Sequence, residues 1–140
     1  MQTFLPYSDF KRSAEALDRQ RLGKQRLEAK WVINALAGKY TKKQVHMNHP
    51  LLRMWKGYDN AIKLYYNTVI DEWRKRGYKS NMRKYNIKGE VTMPPWLRSR
   101  NFINSHRSNL LRKNAPYYSQ FKWNVEPGLP YVWPVKKEEM

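Results

Sequence analysis

Cysteine is absent from all 140 residues, which excludes disulfides, zinc ribbons, thiol nucleophiles and iron–sulfur clusters. Three histidines are too few and too dispersed to argue for a metal site, and no metal or organic cofactor is expected. Acid is scarce too, with 11 Asp plus Glu against 28 Lys plus Arg. Without a cluster of carboxylates nothing could hold the Mg²⁺ of a metal-dependent nuclease. No apolar run approaches the roughly 18 residues of a membrane span. The opening MQTFLPYSDFKR lacks an apolar core and carries an early acid, so it does not resemble a secretion signal. These absences predict a soluble cytoplasmic chain with no membrane partner.

What the chain has in excess is positive charge and large rings. A formal charge of +17 on 17.0 kDa calls for a polyanion, and nucleic acid is the leading partner class. Structural proteins of ribosome or chromatin and membrane-surface proteins share that balance, so charge selects a partner and no chemistry. Aromatic residues make up 14% of the chain, six of them Trp, too much large apolar surface for a disordered basic tail. The expectation is one folded domain spanning 1–140, monomeric and nucleoid-associated through duplex DNA.

The fold expected is mostly α, a compact three-helix domain with an extended N-terminal segment and an irregular, aromatic-rich C-terminal tail. Met1 to Tyr7 is mostly apolar and carries Pro6, which favours extended backbone. Ser8 or Asp9 then caps a helix over residues 9–37, with Leu22, Ala29, Val32, Ile33 and Leu36 at helical spacing and Gly38 as its stop. Gly23 weakens that helix as an unbroken unit. A second helix runs from Pro50 to Arg76, where Leu51, Trp55, Tyr58, Ile62, Tyr65, Val69 and Trp73 form a core stripe and Gly77 supplies the cap. Residues 79–95 read as an ordered loop or a mobile arm. The third helix covers about Ser99 to Lys113, with Phe102, Ile103, His106 and Leu110 inward and Pro116 as its stop. In the tail from Ala115 to Pro134, the rings of Tyr117, Tyr118, Phe121, Trp123, Tyr131 and Trp133 must either cover the bundle or meet bases. The last six residues, VKKEEM, read as frayed.

Candidate chemistry concentrates in LDRQRLGKQRLEAK, Leu17 to Lys30. Arg19, Arg21, Lys24, Arg26 and Lys30 surround one helix that carries only two acids, Asp18 and Glu28. Arg21, Lys24 and Glu28 fall on one strip. Spacing alone leaves two readings of Glu28 open: an ion pair on a solvated face, or a catalytic carboxylate within a phosphate-binding surface. Lys24, one turn before Glu28, either touches phosphate or supplies an amine nucleophile with a lowered pKa. Arg107, Arg112 and Lys113 extend the basic face. His49, before Pro50, is a cap, a packing residue or a DNA contact. His106 is a partly buried structural residue or a contact to phosphate or a flipped base.

Three stretches carry a resemblance. DRQRLGKQRLE resembles the catalytic helix of the bacteriophage-type pyrimidine-dimer DNA glycosylases with abasic-site lyase activity. NHPLLRMWKGYDNAIKLYYNTVIDEWRKRGYK, Asn48 to Lys79, is similar to that family's second helix. PPWLRSRNFINSHRSNLLRKNAPYYSQFKW, Pro94 to Trp123, is similar to its third helix and aromatic C-terminal strand. The strings MQTFLP, LDRQRLGKQR, SHRSNLLRK and LPYVWP also resemble a widespread branch of small bacterial and phage proteins, read as a divergent branch of the same superfamily.

The resemblance implies a DNA glycosylase that excises a damaged or modified pyrimidine, a pyrimidine dimer foremost. Glu28 stands at the position of the family's essential glutamate, which protonates the ribose ring oxygen or supports imine formation and elimination. The family nucleophile is the α-amine of the mature N-terminus, attacking C1′. The sequence departs from the pattern at two places. Gln2 is large where the phage enzymes have a small residue, so the amine belongs to Met1; were Met1 removed, Gln2 could cyclise and lose its amine. Arg21 also replaces the family's His before Leu. Without an amine nucleophile, Glu28 or Asp18 could activate water. The rival class is a non-catalytic DNA- or RNA-binding module on the same fold.

Overall fold

The computed structural model describes residues 1–41 and 48–134. Among them are helices and no strands: α1 (Phe10–Ala16), α2 (Arg19–Leu36), α3 (Pro50–Trp55), α4 (Asp59–Lys75), α5 (Arg100–Lys113) and α6 (Ala115–Tyr118), with short 3₁₀ turns at Pro95–Arg98 and Ser119–Phe121. The three expected helices survive as the long α2, α4 and α5. The first two of those expectations are each divided. The frayed end expected of VKKEEM lies outside the described residues.

Both divisions have local causes. Asp9, not Ser8, caps α1, accepting from the backbone N–H of Lys11 at 2.8 Å and of Arg12 at 3.4 Å. The helix then stops at Leu17, whose ψ of 139° is extended. The backbone N–H of Asp18 donates to the Tyr118 hydroxyl at 3.0 Å, and that hydroxyl donates back to the Asp18 carboxylate. A tail residue one hundred positions away therefore fixes the corner between α1 and α2. Between α3 and α4 the chain turns at Gly57, whose φ of +87° belongs to glycine. Gly23 breaks nothing. Its missing side chain admits the Trp73 ring of α4, which a Cβ would meet at 3.2 Å, so glycine serves the α2–α4 crossing.

The core forms where α2 crosses α4. Leu22, Ala29, Val32 and Ile33 face Leu51, Trp55, Ile62, Tyr65 and Val69, all buried, while Tyr58, at the start of α4, and Trp73, at the end of the stripe, are half-buried. Burying each large side chain contributes about 1.5–3 kcal/mol, and the rings of Trp55, Tyr65, Tyr66, Phe102 and Tyr118 are all fully enclosed.

Residues 79–92 take the ordered alternative, running as a strap along α4. Asn60, Asn67 and Arg74 stand seven residues apart and so share one helix face. Asn60 donates to the carbonyls of Lys88 and Glu90 at 3.0 and 2.9 Å, and Asn67 exchanges two bonds with Tyr85 at 2.9 and 2.8 Å. Arg74 reaches the carbonyl of Met82 at 2.7 Å.

Helix α5 starts close to the expected Ser99, which caps it, with Phe102, Ile103, His106 and Leu110 buried as the spacing predicts. It ends at Asn114, which caps the next short helix, so Pro116 opens α6 instead of ending α5. Polar side chains on α5 tie down the tail. Ser108 donates to the Glu126 carbonyl and accepts from the Leu129 N–H at 2.8 Å; Asn109 donates to the Leu129 carbonyl at 2.9 Å; Ser105 accepts from the Val132 N–H at 3.2 Å. The tail rings Tyr117, Tyr118, Phe121, Trp123, Tyr131 and Trp133 pack on the bundle, the first of the two roles open to them.

His106 takes the structural one of its two readings and is more deeply buried than its spacing suggests. It is wholly enclosed, its Nδ1 accepts the Leu5 N–H at 3.0 Å, and its ring lies against Phe4, Phe102 and Tyr131. Burial lowers its pKa to about 3. An unfolded chain takes up a proton at this site below pH 6.5 while the folded chain does not, so stability falls as pH drops from 6.5 towards 3. Each pH unit inside that window costs up to about 1.4 kcal/mol. Urea unfolding at pH 7 and pH 4.5 is expected to show a smaller acid loss in His106→Asn, whose amide oxygen can still accept from Leu5, than in wild type. An equal loss in both would show that His106 does not carry it.

Candidate active site

The segment before α1 is buried from Gln2 to Pro6 and bends from Pro6 to Asp9, leaving Met1 59% exposed at its tip. Side chains, not a neighbouring strand, satisfy its backbone. The Phe4 N–H donates to Gln25, the Leu5 N–H to His106, and the Tyr7 N–H to Ser13, each at 3.0 Å. The carbonyls of Gln2, Phe4 and Pro6 accept from Gln25 at 2.9 Å, Tyr65 at 3.0 Å and Arg107 at 2.7 Å. The Thr3 hydroxyl accepts from the Trp55 indole N–H at 3.0 Å.

Gln25 is the centre of this arrangement. It sits one turn after Leu22 and one before Ala29, on the buried face of α2, and is itself buried. Its Oε1 accepts from the Phe4 N–H at 3.0 Å and, at 2.6 Å, shares the single Tyr65 hydroxyl proton with the Phe4 carbonyl, while its Nε2 donates to the Gln2 carbonyl at 2.9 Å and to Glu28 Oε2 at 2.7 Å. Both ends of the amide are fully used. The Phe4 N–H and Gln2 carbonyl leave a single orientation for it. The same side chain that holds the N-terminal segment thus also fixes the Glu28 carboxylate.

Around Glu28 lies a cavity of about 220 Å³ lined by Met1, Gln2, Phe4, Gln20, Arg21, Lys24, Lys113 and Tyr131. Larger clefts exist elsewhere on the molecule, the one beside Asn48, Arg53 and Glu90 reaching about 630 Å³. That cleft brings together none of the candidate catalytic groups, whereas the smaller one brings together all four. Burial raises the Glu28 pKa. It outweighs the hydrogen bond from the Gln2 backbone, the terminal ammonium, the Gln25 amide and Lys24, all of which pull it down. The terminal amine is therefore near enough to act on Glu28 electrostatically. Across the cavity, burial together with Arg112, Arg21 and Lys24 lowers the pKa of Lys113.

The remaining candidates divide by location. Arg21 lines the cavity while bound to Asp18 at 3.2 Å; with Tyr118 also donating to it, Asp18 is not free to activate water. Arg112 adjoins the cavity, bonded to Asn109 at 3.2 Å. Arg19, Arg26 and Lys30 leave the cavity for aromatic faces: Arg19 over Tyr78, Arg26 over Trp73 at 4.2 Å and Lys30 over Tyr85 at 4.6 Å. Arg107 is held by the Pro6 carbonyl and the Tyr7 ring, away from Glu28. His49 caps α3, accepting from the Leu51 N–H at 3.1 Å between Trp31 and Trp133. Sequence reasoning missed Gln25, Phe4 and Gln20, and named Tyr131 only among the tail rings that could cover the bundle or meet bases. For Gln25 the available signal was a polar residue in register with Leu22, Ala29 and Val32.

A family model described as pyrimidine dimer DNA glycosylase matches residues 1–86. The chain belongs to that family. The match spans α1 to α4 and most of the strap, so it contains Met1, Gln2, Lys24, Gln25 and Glu28. Lys113 and Tyr131, which complete the cavity of this DNA glycosylase family member, come from beyond the match. Comparison with curated proteins and with solved structures returned no match. No helix among the described residues is long and apolar enough to cross a membrane.

Gln25→Leu keeps the size of the side chain and abandons four hydrogen bonds. With buried unpaired groups costing about 1–3 kcal/mol each, the variant is expected to lose about 2–5 kcal/mol in urea unfolding and to expose the Phe4 amide to rapid hydrogen exchange. A loss under about 0.5 kcal/mol would show that Gln25 does not hold the segment.

Proposed function

We propose that this domain, as a single unit, excises a damaged or modified pyrimidine, a pyrimidine dimer foremost, from duplex DNA. The nucleophile is the amine of the first residue, and Glu28 is the proton donor and acceptor. The observation that supports this most is the convergence of Met1, Gln2, Lys24 and Glu28 on one cation-rimmed cavity. At about 220 Å³ the cavity lies below the ~300–1,000 Å³ of pockets that enclose whole small molecules. It suits a sugar ring presented at the surface better than a swallowed base.

The neutral amine attacks C1′, forming an N–C1′ bond as the glycosidic bond breaks; its electron pair leaves with the base, which takes up the proton that the nitrogen sheds. The sugar ring then opens at C1′–O4′, O4′ taking a proton from Glu28, and an imine forms. A carboxyl whose pKa is raised by burial retains that proton further towards neutrality than an ordinary glutamate. The resulting carboxylate can remove a C2′ proton, after which the C3′–O3′ bond breaks and the strand is cut. Water finally hydrolyses the imine and restores the amine. Arg21, Lys24, Lys113 and Arg112 hold phosphates around the opening, and exclusion of water by Phe4 and Tyr131 strengthens each charge interaction.

Glu28→Gln tests the chemistry apart from binding. The variant is expected to bind duplex as tightly as wild type or more so, because it removes a negative charge from a cationic face, while base release falls about 10²–10⁴-fold. Folding is not expected to suffer. Burial makes the folded chain hold the Glu28 proton more tightly than the unfolded chain does, so ionisation of Glu28 costs stability as pH rises above 4.5, and the glutamine removes that cost. Unchanged base release would remove Glu28 from the mechanism. Wild-type binding without release from any damaged duplex would favour the non-catalytic binding module.

A further inference from the structure

A second cationic cleft, of about 670 Å³, lies at the opposite end of α5. Arg12, Arg98, Arg100 and Arg107 line it together with Tyr7 and Asn104, and no carboxylate does. Two of the arginines are held in place. Arg12 lies 4.2 Å from the centre of the Tyr7 ring and Arg107 4.8 Å from it, and the Nε of Arg107 is anchored on the Pro6 carbonyl at 2.7 Å. The acid closest in sequence, Asp9, accepts the N–H groups that begin α1. Burial and the neighbouring charge of Arg12 both lower the pKa of Arg107. Four guanidinium groups gathered without a counter-ion repel one another. Because two are pre-positioned, an anion that enters is bound with less loss of side-chain freedom.

We propose that this cleft binds a backbone phosphate of the duplex whose lesion lies at Glu28; the proposal rests on the reading of the chain as an enzyme acting on duplex DNA. Helix α5 sets the spacing of the cleft and the cavity. Asn104 lines one and Lys113 the other, nine residues of helix, or about 14 Å. At about 3.4 Å of duplex axis per step, the phosphate bound here lies roughly four base-pair steps from the lesion. The cleft is therefore a second footprint that sets how the duplex lies across the enzyme, and it takes no part in the chemistry.

Arg98→Gln combined with Arg100→Gln tests this, since both residues are exposed and neither belongs to the Glu28 cavity. The plot of log affinity against log salt is expected to flatten by about 1 unit, at about 0.9 per lost phosphate contact, with base release at saturating duplex unchanged. A control, Lys11→Gln with Lys75→Gln, removes equal charge from a surface that also carries Asp71 and Glu72, and should leave the slope unchanged. Neutral methylphosphonates placed singly three to six steps from the lesion should weaken wild type at one position and leave the double arginine variant indifferent there. Melting in inorganic phosphate against chloride at equal ionic strength tests a free ion as occupant. A phosphate-dependent rise lost in the variant, without any methylphosphonate effect, would overturn DNA as the occupant. Wild type that excises normally, with a salt slope equal to that of the variant, would overturn this proposal alone. Wild type that binds duplex but releases no base would overturn the glycosylase reading and leave the cleft to be judged by the slope. Wild type that binds no duplex would overturn both.

Discussion

One buried amide organises this molecule. Gln25 joins the N-terminal segment to α2 and joins both to Glu28, using every hydrogen-bonding position it has. The segment cannot pair as a strand because no strand lies beside it among the described residues, and buried backbone left unpaired is costly. Side chains from α2, α4 and α5 supply the partners instead. The helices must therefore pack correctly for the first residues to be held, and the first residues must be held for Met1 to meet Glu28. Folding and assembly of the site are the same event.

The same constraint explains why acid appears where it does. In a chain with 28 cations and 11 anions, a carboxylate on the DNA-facing side opposes binding unless it performs chemistry. Glu28 is half-buried, hydrogen-bonded from Gln25 and ringed by Arg21, Lys24 and Lys113. Its raised pKa marks a group kept in an unfavourable setting, which is the pattern of a functional residue. Arg26 and Lys30, from the same helix, are instead spent on Trp73 and Tyr85, so helical proximity to Glu28 does not assign a role.

Local pattern made much of the fold legible. The start of α5 near Ser99, its apolar spacing and the stripe from Leu51 to Val69 are short-range signals, and they hold in the structure. What the sequence did not reveal depended on distant partners. The corner at Leu17 is set by Tyr118, and the tolerance of Gly23 is set by Trp73. His106 carries the same helical spacing whether it is half-exposed or enclosed, and only the arrival of Phe4 and Tyr131 closes it in. The candidates Glu28, Met1 and Gln2 came from a resemblance and Lys24 from its place one turn before Glu28, and the cavity unites those residues. Gln25 went unread because glutamine is an ordinary helix former, and its bonding could be seen only once the first four residues were in place.

The central claim is that folding delivers the amine of the first residue to Glu28 for attack on a sugar carbon. Borohydride reduction of the protein with duplexes carrying a pyrimidine dimer or an abasic site, followed by mass mapping of the adduct, tests it most directly. The account expects one trapped species per protein, located on the N-terminal peptide at the α-amine of Met1. An adduct on Lys24 or Lys113, or no adduct from duplexes whose bases the protein releases, would contradict it.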